Sequence, residues 1–250
     1  MSKTVFITGA TSGFGKATAE LFAENGDNVI ITGRRQERLN TLSKKLISEH
    51  GVEVTTLCFD VRNNSEVVAA INSLENKVID ILINNAGLAS GINKIQDGAF
   101  DDWDKMIDTN VKGLLYVSRA IMPLMIQNKE GHIINIGSTA GKEVYMNGNV
   151  YCATKHAVNA ISKAMRIELL EHGIKVSQVS PGAAETEFSE VRLHGNVEKA
   201  KEVYAGYEPM TAEDIASIIF YVATLPKNLC INDLVVTSLS QANSFYINRK

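Results

Sequence analysis

Tyr151 and Lys155 stand four residues apart. On a helix that spacing puts both side chains on one face, with ~5–6 Å between Cβ atoms. A free phenol titrates near ~10 and is a poor base at neutral pH. A neighbouring ammonium favours the phenolate and lowers that pKa. The pair is therefore a candidate general acid–base unit, although an isolated Tyr-x-x-x-Lys reads more simply as a surface pair. Two further signals converge on it. Ser138 closes an apolar run upstream, where it can offer a hydrogen bond to a substrate oxygen. Asn84-Asn85-Ala86-Gly87 closes another such run and suits a backbone that lies close to a bound molecule.

A second chemistry is written near the start. Thr8-Gly9-Ala10-Thr11-Ser12-Gly13-Phe14-Gly15 follows a short apolar run and opens a helical pattern. Glycines in that setting permit a tight turn, close approach of a pyrophosphate and packing of helix on sheet. The helix N-terminus then offers free N–H groups to phosphates. The spacing is G-x-x-x-G-x-G rather than G-x-G-x-x-G. A dinucleotide site tests its ribose at the end of the second strand, where an acidic residue suits NAD and arginine suits the 2′-phosphate of NADP. That strand ends Thr32-Gly33-Arg34-Arg35, and Arg38 follows one helical turn later. Asp27 lies before the strand rather than at its end. The reading is NADP, because guanidinium binds phosphate through a planar fork of donors. Cations at a helix start are otherwise mildly unfavourable.

The elements needed to hold these residues are legible as an alternation. Strand-like runs fall at 5–9, 28–34, 53–61, 80–84, 131–138, 175–180 and 233–239. Continuous apolar stretches such as Val29-Ile30-Ile31 suit strands buried on both faces of a parallel sheet. Helical spacing falls at 15–24, 36–50, 65–75, 101–127, 150–172 and 211–225. The pattern predicts one domain over 1–250. Its expected fold class is α/β, a Rossmann-like doubly wound sheet of about seven parallel strands with helices on both faces. In such a sheet ligands collect at the carboxyl ends of the strands, where Ser138 and Asn84 both fall. The charged stretch 183–210 lies outside the alternation. It reads as a lid or binding loop, or as a solvated pair of short helices.

Taken together, these pieces resemble a short-chain dehydrogenase/reductase over the whole chain. The match comprises the glycine turn at 8–15, Asp60-Val61, 84–87, Asn110, Ser138, Tyr151 with Lys155, and Pro181-Gly182 with Thr186. The resemblance implies roles. Tyr151 is the acid–base residue, and Lys155 lowers its pKa and binds the nicotinamide ribose. Ser138 holds the substrate oxygen, and Asn110 supports a water that passes protons toward Lys155. Asp60 accepts from the adenine amino group, and Asn84 lines the adenosine side. Thr186 touches the carboxamide. Gly9, Thr11, Ser12, Gly13, Phe14, Gly15, Arg34, Arg35, Arg38, Val61, Ala86, Gly87, Pro181 and Gly182 complete the expected cofactor contacts.

The resemblance narrows toward the NADP-dependent 3-hydroxy acid dehydrogenases, which act on serine, L-allo-threonine and related acids. Phe14, Ile136-Gly137-Ser138-Thr139-Ala140-Gly141 and Thr186-Glu187-Phe188-Ser189-Glu190-Val191-Arg192 carry it. Arg192, in the expected lid, suits a bidentate grip on a substrate carboxylate, or is a surface arginine on a mobile helix. Tyr145 and Met146 are candidate walls of the pocket, or ordinary packing. Cys152 and His156 read as structural. The segment 182–186 looks shorter than in those relatives, and 234–250 lacks their pattern. The alternatives are a 3-oxoacyl or other carbonyl reductase, and a non-catalytic NADP-sensing protein. The reductases usually finish the last strand with Gly-Gly, which Asn232-Asp233-Leu234-Val235-Val236 lacks. The resemblance also implies a homotetramer.

Composition agrees with this class. The chain has 250 residues, 45% hydrophobic and 21% charged, enough for a large core and ordinary for a globular protein. A formal net charge of −3 leaves no basic excess for nucleic acid. No run approaches the ~20 apolar residues of a membrane helix, and the opening apolar run breaks at Thr8-Gly9, too soon for a signal peptide. The three cysteines lie too far apart for a metal knuckle, and an odd, low count fits a reducing cytoplasm.

Overall fold

Strand and helix alternate along the computed structural model, which describes residues 2–74 and 77–250. Seven strands form one sheet: β1 Thr4–Ile7, β2 Asn28–Gly33, β3 Val54–Cys58, β4 Ile81–Asn84, β5 His132–Ile136, β6 Lys175–Pro181 and β7 Asp233–Val236. Every pairing is parallel, in the order β3-β2-β1-β4-β5-β6-β7. The order reverses direction between β1 and β4, and this opens the crevice in which doubly wound folds bind ligands.

Alternation along each strand builds two cores. Val5 and Ile7 of β1, Val29 and Ile31 of β2, and Ile81 and Ile83 of β4 face one way. They meet α1 Gly13–Glu24, α2 Gln36–His50 and α9 Ala212–Thr224. Phe6, Ile30, Leu82 and Ile133 face the other way. They meet α3 Asn64–Asn72, α5 Leu114–Asn128 and α6 Asn149–Glu168. Fully burying one such side chain is worth about 1.5–3 kcal/mol, so both faces of the sheet are strongly specified. Before α5 lies α4 Phe100–Ile107, and after β6 come α7 Phe188–Arg192 and α8 Val197–Glu202.

Three expectations need correction. The helix expected over 101–127 is interrupted by a turn of π-helix at Asp108–Gly113 between α4 and α5. The expected strands 53–61, 131–138 and 233–239 stop at Cys58, Ile136 and Val236; residues 59–61 and 137–138 leave the ladder to wall the crevice. Helix α6 ends at Glu168, and a 3-10 turn covers Leu170–His172. The expected end of the third helix, Glu75, lies outside the described residues. The stretch 183–210 holds α7 and α8, joined through His194 and Gly195 with φ of 55° and 86°. Among the described residues, no helix is long and apolar enough to cross a membrane.

Candidate active site

At the carboxyl edge of the sheet lies a cleft of about 480 Å³, walled by strand ends, by α7 and by the C-terminal segment. The size suits an elongated small molecule. Gly9, Thr11, Ser12, Gly13 and Phe14 line one end. Gly9 and Gly13 have φ of 70° and 51°, the left-handed region that side chains avoid. Gly15 is not in the cleft wall. A Cβ there would stand 2.4 Å from the Gly9 carbonyl oxygen, so its absence lets α1 lie against the turn. This is a ready anion site, open at a helix N-terminus.

Beyond the glycines stand the arginines. Arg34 and Arg35 line the cleft. Arg35 donates from Nε to Thr11 Oγ1 at 3.1 Å, and from Nη2 to Thr11 Oγ1 and Ser12 Oγ, both at 2.8 Å. Arg38 stands just outside the wall, paired with Glu187 at 2.7 Å. Asp60 and Val61 line the same end. Partial burial opposes the charge of Asp60, but hydrogen bonds from Arg62 outweigh it and hold its carboxyl below the ordinary range. Ala86, Gly87, Pro181, Gly182 and Thr186 complete this part of the wall.

Asn84 is a correction. Its side chain turns away from the cleft and donates to Ser118 Oγ and Asn135 Oδ1, both at 2.9 Å. As the last residue of β4 it shares the face of Leu82, toward α5, and Asn85 takes the place at the cleft. The Asn85 amide clamps the glycine turn by donating to the Thr8 carbonyl at 2.8 Å.

The candidate acid–base pair, Tyr151 and Lys155, is carried on α6. Ser138, Tyr145, Tyr151 and Lys155 line the cleft together, and Ser138 also caps the following turn by accepting from Ala140 N–H at 3.1 Å. Lys155 Nζ donates to the Ile136 carbonyl at 2.8 Å and lies 5.9 Å from the Tyr151 ring centroid. The spacing predicts that Lys155 lowers the Tyr151 pKa, and here burial dominates instead. Desolvation pushes Tyr151 up, with a hydrogen bond from Ser138 working the other way. Desolvation also takes Lys155 down to about 8. Asn110, in the π-turn, is buried behind the wall. Its carboxamide accepts from Leu88 N–H and donates to the Leu88 carbonyl, both at 2.8 Å, and donates to Thr154 Oγ1 at 3.0 Å. A Cβ at Gly87 would lie 3.3 Å from Asn110 Oδ1 and 3.6 Å from Lys155 Nζ, so Gly87 leaves the two groups a shared space.

Arg192 stands at the end of α7, in the stretch expected as a lid. Its guanidinium carbon stands 5.4 Å from the Tyr145 ring centroid and 5.8 Å from that of Tyr151. Nη1 donates to Tyr145 Oη at 3.0 Å, while Nε is buried with no partner among the described residues. A buried donor left free at the cleft wall is available to an oxygen ligand or a water. Met146, by contrast, is 81% exposed and is no wall. His156 bonds to the Cys152 carbonyl and Cys152 packs in the core beside Tyr151, both structural positions.

Several cleft residues carry no local signal in the sequence. Glu187 reaches Arg35 and Arg38 across the length of the chain. Gln241 accepts from Ala183 N–H at 2.8 Å and fills the space beside Gly182. Tyr204, Tyr207 and Arg249 close the far end. Arg249 joins the C-terminal segment to the end of α8 through the Val203 carbonyl at 3.0 Å. The unpatterned stretch 234–250 is thus part of the wall, and only tertiary structure reveals it.

The glycine cradle, the arginine pair beside it and a buried Tyr–Lys pair fit a nicotinamide dinucleotide and an oxygen-bearing substrate. Comparison with known proteins agrees. The chain is 44% identical over 241 residues to the NADP-dependent 3-hydroxy acid dehydrogenase YdfG of Salmonella typhi, covering 95% of this chain and 96% of that one. It is 43% identical over 245 residues to serine 3-dehydrogenase of Rhizobium radiobacter, covering 97% and 96%. Its fold superposes with a TM-score of 0.91 on the closed form of a serine dehydrogenase complexed with NADP+, at 42% identity and covering 96% and 97%. Residues 3–196 match the short chain dehydrogenase family, and with relatives this similar along nearly its whole length the chain belongs to that family.

Proposed function

We propose that this protein is an NADP-dependent oxidoreductase of small 3-hydroxy acids of the serine, L-allo-threonine and 3-hydroxypropionate type. The observation that carries the reading is the free, buried Nε of Arg192 beside Tyr151. It offers a free donor for a substrate carboxylate, on a guanidinium whose carbon stands 5.8 Å from the Tyr151 ring centroid. The names of the similar proteins, 3-hydroxy acid dehydrogenase and serine 3-dehydrogenase, support the same class.

In this reading Gly9, Thr11, Ser12, Gly13 and Phe14 cradle the pyrophosphate, and Arg34, Arg35 and Arg38 meet the 2′-phosphate. NADP, when bound, supplies the hydride acceptor. Ser138 positions the substrate oxygen. Tyr151 donates its proton to a carbonyl oxygen in the reductive direction. In oxidation the deprotonated oxygen takes the proton of the substrate hydroxyl. Lys155 contributes positive charge and donors toward the ribose, and Asn110 braces the backbone at Leu88 behind it. Asp60 serves adenine and Thr186 the carboxamide. Tyr145 holds the Arg192 fork in place. A homotetramer working in the cytoplasm completes the proposal.

The test is NADPH absorbance with serine, L-allo-threonine, 3-hydroxypropionate and 3-hydroxybutyrate, using NADP and NAD in parallel. Turnover should require NADP and a 3-hydroxy acid. Tyr151→Phe should lower kcat by about 10²–10⁴-fold, the usual worth of a general acid–base. Binding of NADPH with no turnover of any of these acids would instead favour an acyl substrate or a sensing role.

A further inference from the structure

The arginines offered to a 2′-phosphate already hold a carboxylate. Glu187, the residue before α7, divides its two oxygens between Arg35 Nη1 at 3.0 Å and Arg38 Nη1 at 2.7 Å. Arg35 turns its other nitrogens to Thr11 and Ser12 of the glycine turn. Partial burial opposes the charge of Glu187, but hydrogen bonds from Arg38 and Arg35 outweigh it and hold its carboxyl below the ordinary range. An anion spread over two guanidinium forks occupies the donors that a phosphate ester uses. The same carboxylate is tied to the lid: Thr186 beside it lies against Gly13, and Phe188 after it packs on Tyr151 with ring centroids 5.5 Å apart.

We propose that Glu187 is a specificity-determining residue that stands in for the cofactor's 2′-phosphate on Arg35 and Arg38. Phosphate and carboxylate compete for the same donors, so arrival of the phosphate releases the start of α7. A cofactor without a 2′-phosphate leaves the ion pairs, and with them the lid, in place. The acidic residue that the second strand lacks at its end is thus supplied from the lid, as a competitor rather than as a ribose ligand. This deepens the NADP reading and rests on it.

The experiment is titration calorimetry of 2′,5′-ADP, which carries the phosphate but no nicotinamide, with NAD in parallel. It compares the wild type, Glu187→Gln and the double variant Arg35→Ala/Arg38→Ala. Removing the competitor should tighten 2′,5′-ADP by about three- to tenfold, the scale of two exposed ion pairs. NAD should stay within about twofold of the wild type. The double arginine variant should lose 2′,5′-ADP affinity selectively. If Glu187→Gln leaves 2′,5′-ADP unchanged or weakens it while the arginine variant still loses it, competition is wrong and the carboxylate merely positions the forks. Weakened NAD binding in Glu187→Gln would mean that the carboxylate holds a ribose hydroxyl, which also overturns the proposal. Unaltered 2′,5′-ADP binding in the arginine variant would remove the 2′-phosphate reading at these residues, and the proposal would fall with it.

Discussion

Lys155 is buried at the cleft wall, and the only hydrogen bond it donates to a described residue is to the Ile136 carbonyl. A buried ammonium with so little compensation is a cost that folds tolerate chiefly at functional positions, which makes Lys155 a candidate for one. Its pKa of about 8 stands against an ordinary 10.5. Between those values the unfolded chain binds a proton that the native protein does not, so raising the pH favours the native state. The penalty is complete below the folded pKa and gone above the unfolded one. Lys155→Met should therefore be more stable than the wild type near neutrality, by up to roughly 3 kcal/mol less about 1 kcal/mol for the lost hydrogen bond. The advantage should narrow by roughly 2 kcal/mol between about pH 7 and about pH 9.5. Urea unfolding of both proteins at the two pH values reads it directly. A gap that does not change with pH would show that the ammonium is not depressed. Tyr151 is subject to the same burial, which raises rather than lowers its pKa. Four-residue spacing puts the pair on one face, as the sequence predicts, but spacing alone is silent about the dielectric around it.

The elements that carry these residues differ in how openly the chain announces them. Helix α2 is readable to the residue, Gln36–His50, because its apolar spacing is regular and Gly51 takes the left-handed conformation that ends it. The π-turn at Asp108–Gly113 is invisible, since helical spacing continues on both sides. What bends it is long-range: the Asn110 amide holds the Leu88 backbone and Thr154. The choice between Asn84 and Asn85 was open to a period-two argument, which puts Asn84 on the face of Leu82, toward α5. Glu187 was not, because nothing local links it to Arg35. The glycine turn is the most legible site element, and its packing gives a sharp test. A Cβ at Gly15 would meet the Gly9 oxygen at 2.4 Å and Asn85 Nδ2 at 2.5 Å. Gly15→Ala should push α1 off the turn, with a loss of about 1–3 kcal/mol in urea unfolding. A tenfold or greater loss of 2′,5′-ADP affinity should accompany it, since the same shift moves the N–H groups that face phosphate. Stability lost with affinity intact would mean that the turn, not the helix, holds the anion.

At the scale of the molecule, the strand ends supply one half of the cleft wall and the segment after β6 supplies much of the other. Arg192 belongs to the second, yet its place is set by the first. Its carbonyl accepts from Gly91 N–H at 2.9 Å, and two residues on His194 Nε2 stands 3.3 Å from Asp102 Oδ2. Asp102 is buried and also accepts from Ser90 Oγ at 2.5 Å, so the body presents a rigid carboxylate to the end of the lid. Gly91 must lack a side chain there, because a Cβ would lie 2.8 Å from the same carboxylate oxygen. Docking at this point aims the Arg192 fork at Tyr151. If Arg192 grips the substrate carboxylate, Arg192→Gln should raise KM about 10–100-fold, the worth of a charge-assisted hydrogen bond. Asp102→Asn, which keeps the shape but removes the charge facing His194, should raise KM by a smaller factor. Both should leave 2′,5′-ADP binding as in the wild type. The decisive result is the double variant. A residue that acts only by aiming Arg192 has nothing to aim once the guanidinium is gone, so Asp102→Asn should add no further rise in KM to Arg192→Gln. Additive effects would assign Asp102 a separate influence on the cleft and would uncouple lid docking from the carboxylate grip.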